Sequence, residues 1–228
     1  MRTTFRPLCL ALLLSTACTA FGAGGGEMPS RPMSASSPPP SPEEQARSAY
    51  NAGVKAVEKA DSLAADAAHQ ADAKKQARAL DKASDGYAGA LKKFTKATEL
   101  YPSMHEAWNY VGYTNRKLGK YDAALAAYDR ALSLKPGYPE AIEYRGHAYL
   151  GLNRLGEAKE AYLSLFSSNR KLAAQLLAGM QTWVGEHRGN PGSVDGASLE
   201  AFASWVSERS AIASQTAGLT REGASAAW

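Results

Sequence analysis

The sequence predicts an all-α fold of stacked helical hairpins, and three observations carry that expectation. Six of the eleven prolines crowd into residues 29–42, and beyond Pro42 only Pro102, Pro136, Pro139 and Pro191 interrupt long stretches rich in Ala, Leu, Lys and Glu, residues with high helix propensity. No stretch shows the strict apolar/polar alternation of a half-buried strand. Shifting the chain against itself by 34 residues brings Pro102 onto Pro136, Ala97 onto Ala131, Phe94 onto Tyr128 and Tyr162, and Gly112 onto Gly146. A fixed period of that length marks one supersecondary unit repeated in series.

Composition narrows the class further. With 228 residues, 45% of them hydrophobic and 21% charged, the chain sits in the globular range, which excludes wholesale disorder and a polytopic membrane protein. Two cysteines, Cys9 and Cys18, cannot staple a disulfide scaffold and match no zinc spacing. The balance of 26 basic against 22 acidic residues, a net of +4, first suggests a polyanion or membrane surface as partner.

Residues 1–22 read as a secretory signal peptide: Arg2 and Arg6 precede an apolar run from Leu8 to Leu14, followed by small residues. That run is far shorter than the ~20 residues a membrane span needs. Ala20-Phe21-Gly22 places cleavage before Ala23, so export to a periplasm is expected. A second reading uses Ser15-Thr16-Ala17-Cys18, which resembles a bacterial lipobox with Ser15 where leucine is usual; Cys18 would then be lipidated and anchored to the outer membrane. Arg2 and Arg6 leave with the signal, so residues 23–228 carry 24 basic and 22 acidic residues, a net of +2. Those charges are expected to scatter along helix faces, which predicts no nucleic-acid partner and membrane contact only through a lipid anchor. Residues 23–41, rich in Gly, Ser and Pro, read as a flexible tether.

The first hairpin, 42–104, is expected to be elongated and degenerate. Ser41-Pro42-Glu43-Glu44 supplies an N-cap serine, a proline in the first turn and a glutamate three residues on. Taking Gly53 as the counterpart of Gly112 starts this unit at Ala46 and puts Tyr87 at its 42nd position, where Tyr121 is the 17th of its own unit, a surplus of 25 residues. Leu80, Tyr87, Phe94 and Tyr101 keep a seven-residue phase across Asp85-Gly86, which places the turn near His69 to Ala71 and lengthens both helices. One helix over 43–84, turning at Asp85-Gly86, is the alternative.

Residues 105–138 follow a second capping pattern, Ser103-Met104-His105-Glu106. They contain Trp108-Asn109-Tyr110-Val111-Gly112, then Gly119-Lys120-Tyr121, Ala124, Tyr128, Ala131 and Pro136. This segment closely resembles the tetratricopeptide repeat, with every signature position filled. Residues 139–172 form a similar unit in which Ile142, Gly146, Tyr149, Ala158 and Tyr162 match, while Leu165 and Arg170 replace the usual small residue and closing proline; the second helix is expected to end near Ser167-Ser168-Asn169. Residues 173–228 are expected to cap the stack: Leu172, Leu176, Leu177, Met180 and Val184 give one helix, Gly189-Asn190-Pro191-Gly192 breaks it, and Leu199, Phe202, Val206 and Ile212 give another over 198–215. The resemblance implies a tetratricopeptide solenoid of about three units with a groove lined by the first helices.

No nucleophile motif, phosphate loop or dinucleotide fingerprint occurs, and the four histidines form no i, i+4 pair, so no catalytic residue, cofactor or metal is expected. By resemblance to the family, the groove positions are Asn109, Tyr110, Tyr113, Arg116 and Lys117 in one unit and Glu140, Glu143, Tyr144, His147 and Leu150 in the next. Aromatic residues beside a few charges suit a protein or peptide partner; Tyr110, Tyr113 and Tyr144 serve equally well as packing within and between units. Glu140 and Tyr144 occupy two positions that a carboxylate clamp would give to lysine, arginine or asparagine, so a partner presenting a free acidic C-terminus is not expected.

Overall fold

A computed structural model describes residues 39–225 of the chain. The signal segment 1–22, Cys18 and most of the expected tether lie outside the described residues. Eight helices follow one another with no strand among the described residues: α1 (Pro42–Ala68), α2 (Ala73–Leu100), α3 (His105–Lys117), α4 (Tyr121–Leu134), α5 (Pro139–Gly151), α6 (Leu155–Ser168), α7 (Arg170–Gly189) and α8 (Gly196–Ser225). Each odd-numbered helix packs on the even-numbered one after it, and α5 also packs on α3 and α7. The result is an all-α tetratricopeptide-type stack whose last two helices pair as a further hairpin.

The starts of α1 and α2 are written in side chains. Ser41 accepts from the Glu44 amide at 3.2 Å while the Glu44 carboxylate accepts from the Ser41 amide at 2.7 Å, a reciprocal capping box. Asp72 accepts from the amides of Lys74 and Lys75 at 2.9 and 3.0 Å, so the first hairpin turns between Ala68 and Ala73. Gly86 therefore lies in mid-helix, where its missing side chain lets α2 approach Ala60 of α1. The cap expected at Ser103 is not made. The Met104 amide bonds the Tyr101 carbonyl at 3.1 Å, and this turn makes Met104, which has no acceptor, the N-cap of α3.

Small residues set the spacing inside the hairpins. A Cβ on Gly53 would meet the Phe94 ring, and one on Gly112 the Tyr128 ring; both rings are fully buried. The third unit departs from this pattern, because the space opposite Gly146 is taken by Leu176 of α7 rather than by Tyr162. Two turns use a left-handed backbone 34 residues apart: Gly119 has φ of 72° and Asn153 has φ of 58°, asparagine being a residue that tolerates that region.

Two apolar clusters dominate. One joins α1, α2 and α3 around Val57, Tyr87 and Phe94. The other joins α5 to α8 around Tyr162, Leu165, Leu176, Met180 and Phe202. Asn169 ends α6 and also caps α7, accepting from the Leu172 amide at 3.1 Å. The last helix continues to Ser225, ten residues beyond the expected end at 215; no proline follows Pro191, and Ala, Leu, Arg and Glu sustain the helix.

Candidate functional site

The first helices of successive hairpins bring four tyrosines into one run. Tyr50 of α1 meets Tyr110 of α3 edge-on at 5.6 Å between ring centroids, and Phe94 of α2 stacks on Tyr110 at 4.8 Å. Tyr110 leads to Tyr113 at 6.1 Å, and Tyr113 to Tyr144 of α5 at 5.0 Å. Helical spacing explains the contact: Tyr110 and Tyr113 are three residues apart, so they share a face. Tyr50, Tyr110 and Tyr144 are half-buried.

Asp61 anchors the inner edge of this run. Its carboxylate accepts from the Tyr87 hydroxyl at 2.6 Å and from the Tyr113 hydroxyl at 2.7 Å, and the Lys117 ammonium lies 3.4 Å away. Asp61 belongs to the added length of α1, so the elongated first hairpin supplies an acceptor that a hairpin of ordinary length would not carry to the end of α3. The Arg116 guanidinium sits 5.2 Å from the Tyr113 ring centroid and 5.7 Å from that of Tyr144, and the Lys117 ammonium 5.4 Å from that of Tyr87, all within cation–π range.

Burial sets the protonation of the phenols. Desolvation pushes Tyr50 and Tyr144 up to about 12. Desolvation, reinforced by the hydrogen bond to Asp61, raises Tyr87 and Tyr113 as well. Every member of the run is therefore a neutral hydroxyl at physiological pH, a donor rather than a charge.

The expected site residues fall into three groups. Tyr110, Arg116, Glu140, Tyr144 and His147 are half-buried and Lys117 is exposed. Asn109, Tyr113, Glu143 and Leu150 are buried, at 2%, 9%, 5% and 4% exposure, and do not form open surface. The physical reasons differ. Tyr113 is closed over by Tyr144 and tied to Asp61, and Glu143 turns back to His147, its Oε1 lying 2.8 Å from Nε2. Asn109 Oδ1 is buried without a hydrogen-bond partner among the described residues.

Beyond the tyrosines, Arg116, Tyr121, His147, Thr182, Trp183 and Glu186 line a cleft of about 480 Å³ running from α3 across α5 to α7. His187 closes one side, its ring stacked on Trp183 at 3.8 Å and its Nδ1 2.8 Å from the Trp183 carbonyl. Gly179 lets His147 approach α7, since a Cβ there would meet the imidazole. Sequence reasoning treated α7 as cover and missed its Thr182, Trp183, Glu186 and His187. It also missed Asp61, although Asp61 lies eleven residues, close to three turns, after Tyr50 and so shares its face.

Two models of the tetratricopeptide repeat match the sequence, over residues 74–139 and 116–180. Residues 74–180 are tetratricopeptide repeats. The matched region starts at α2, so the tetratricopeptide pattern is clear in the second helix of the elongated hairpin and lost in the first. Solved structures similar to the chain include the first tetratricopeptide domain of Spaghetti (RPAP3) bound to the HSP90 peptide SRMEEVD, at 24% identity over 55% of this chain and 93% of that one, with a TM-score of 0.35. The MamA RS-1 ArsTM double mutant matches at 18% identity over 72% of this chain and 94% of that one, with a TM-score of 0.36. No protein of curated function matches at a significant level.

Proposed function

We propose that this chain is a non-catalytic adaptor of a bacterial cell envelope that holds a protein or peptide segment on the face built by α1, α3, α5 and α7. Tetratricopeptide repeats are interaction modules by construction, because stacked hairpins leave one face of their first helices unpaired. The observation that carries the reading is the run of half-buried tyrosines, Tyr50, Tyr110 and Tyr144, ending at Arg116. Aromatic faces give large contact area at low entropy cost, and Arg116 adds a cation for an acidic group on the bound segment. The export signal read in residues 1–22 supports an envelope setting.

The test is crosslinking and capture from envelope extract with the mature protein, compared with a Tyr110→Ala/Tyr144→Ala variant. The variant should lose at least tenfold in capture of any reproducible partner, as expected when two aromatic anchors are removed, while its far-UV circular dichroism stays helical. Equal capture by a folded variant removes the groove assignment. A second reading, an outer-membrane lipoprotein that helps assemble or stabilise an envelope complex, draws on Ser15-Thr16-Ala17-Cys18; palmitate labelling that disappears on Cys18→Ser supports it, and an unlabelled mature chain starting at Ala23 excludes it.

A further inference from the structure

The charges of α2 are not scattered. At 100° per residue, Lys74, Lys75, Arg78 and Lys82 fall within one arc of about 100° on the helix wheel, and Lys92, Lys93 and Lys96 fall in the same arc three turns later. The arc has only three other positions, Asp85, Gly89 and Leu100. Asp81 and Glu99 lie just beyond one edge. The buried residues of α2, among them Ala83, Tyr87, Ala90 and Phe94, occupy the opposite side, so packing against α1 and α3 points the cations outward. Six of the seven are exposed and Lys93 is half-buried. None of the seven has a carboxylate within ion-pairing distance among the described residues.

From Lys74 to Lys96 the stripe runs about 33 Å along a straight helix at 1.5 Å per residue. We propose that it is a docking surface for an anionic phospholipid bilayer. The chemistry of the arc selects that occupant. Six of its seven cations are lysines, which act as point charges rather than as bidentate forks. It holds no aromatic residue to stack on a base and no asparagine or glutamine to read one, as nucleic-acid recognition would need. It also lacks the central aromatic or arginine cluster on which a protein partner's affinity would rest. A row of four to eight lysines or arginines facing one way is sufficient for a surface of anionic headgroups, which asks for charge density along a plane and nothing else. The stripe shares no residue with the tyrosine run, so it stands whether or not that face binds a peptide.

The test is co-sedimentation of the full chain with vesicles rich in phosphatidylglycerol and with vesicles of pure phosphatidylcholine. The protein should prefer the anionic vesicles by about tenfold or more, and the preference should shrink as salt brings the Debye length below about 8 Å. Lys74→Glu/Arg78→Glu/Lys82→Glu should abolish the preference, Lys92→Gln/Lys96→Gln should weaken it, and Lys74→Arg/Lys82→Arg should keep it, all with unchanged far-UV circular dichroism. The glutamine pair reads the same effect should the charge reversal unfold the helix. Equal binding to both vesicles overturns the proposal, as does undiminished preference in folded charge-reversed protein. Tighter salt-dependent binding to duplex DNA or to an acidic peptide than to anionic vesicles overturns it in favour of those ligands.

Discussion

Alongside the ring packing around Phe94, Asp61 ties α1 to α2 and α3. Two phenols and one ammonium converge on it, and both tyrosine rings are buried. Asp61→Ala leaves two hydroxyls without their acceptor, a loss of about 1–3 kcal/mol when such groups are fully buried. The Asp61 side chain is 37% exposed, so water replaces part of the interaction and the expected loss is near the lower end, about 1 kcal/mol, read as a lower urea midpoint with unchanged slope. An unchanged midpoint means the cluster is held by ring packing alone. The close approaches at Gly53 and Gly112 were legible in the sequence, because the 34-residue shift aligns the rings they meet. Asp61 was not, because it falls in an inserted stretch that has no counterpart under that shift. Depth was not legible either: helical register puts Asn109, Tyr113 and Glu143 on the groove side, yet only the packed neighbours decide that they are buried.

At the scale of the element, α2 carries two readable periodicities. Its apolar phase, Leu80, Tyr87, Phe94 and Tyr101, favours a helix running through Asp85-Gly86 over a turn there, and α2 spans Ala73–Leu100. Leu80 itself is 49% exposed, since the elongated hairpin extends past the residues that would cover it. A proline at Asp85 separates a continuous helix from a turn at that point. Asp85→Pro should cost about 3 kcal/mol or more by removing an intrahelical bond and clashing with the carbonyl four residues earlier. The check is thermal melting with far-UV circular dichroism; wild-type stability in the variant would return the turn to Asp85-Gly86. The charge periodicity is invisible in a net charge, which sums over the chain and discards the angle of each residue on its helix. The false cap at Ser103 shows the reverse limit: a serine followed three residues later by glutamate fits the pattern, but the tight turn at Tyr101–Met104 shifts the helix start by one residue.

Across the whole described stack, stability is divided between the cluster around Phe94 and the cluster around Leu176. They meet through Tyr128, Tyr144 and Ala148 in the middle hairpins. In a stack where each unit touches only its neighbours, stability is close to a sum of unit and nearest-interface contributions, so damage at one end stays near that end. Ending the chain at Gly189 removes α8 and with it the burial of Leu199, Phe202 and Val206, all under 6% exposed. At about 1.5–3 kcal/mol per fully buried side chain, an upper range because unfolded chains already bury some surface, the loss rivals the total stability of a small domain. Trp183, which meets Phe202 edge-on at 5.3 Å, would lose its cover as well. The truncated protein should therefore lose amide protection through α6 and α7 while α2 and α3, which belong to the other cluster, keep theirs in native-state hydrogen exchange. Uniform loss of protection from α1 to α7 would mean that the hairpins fold as one cooperative unit and that the middle contact around Tyr144 couples the two clusters more strongly than either end is held.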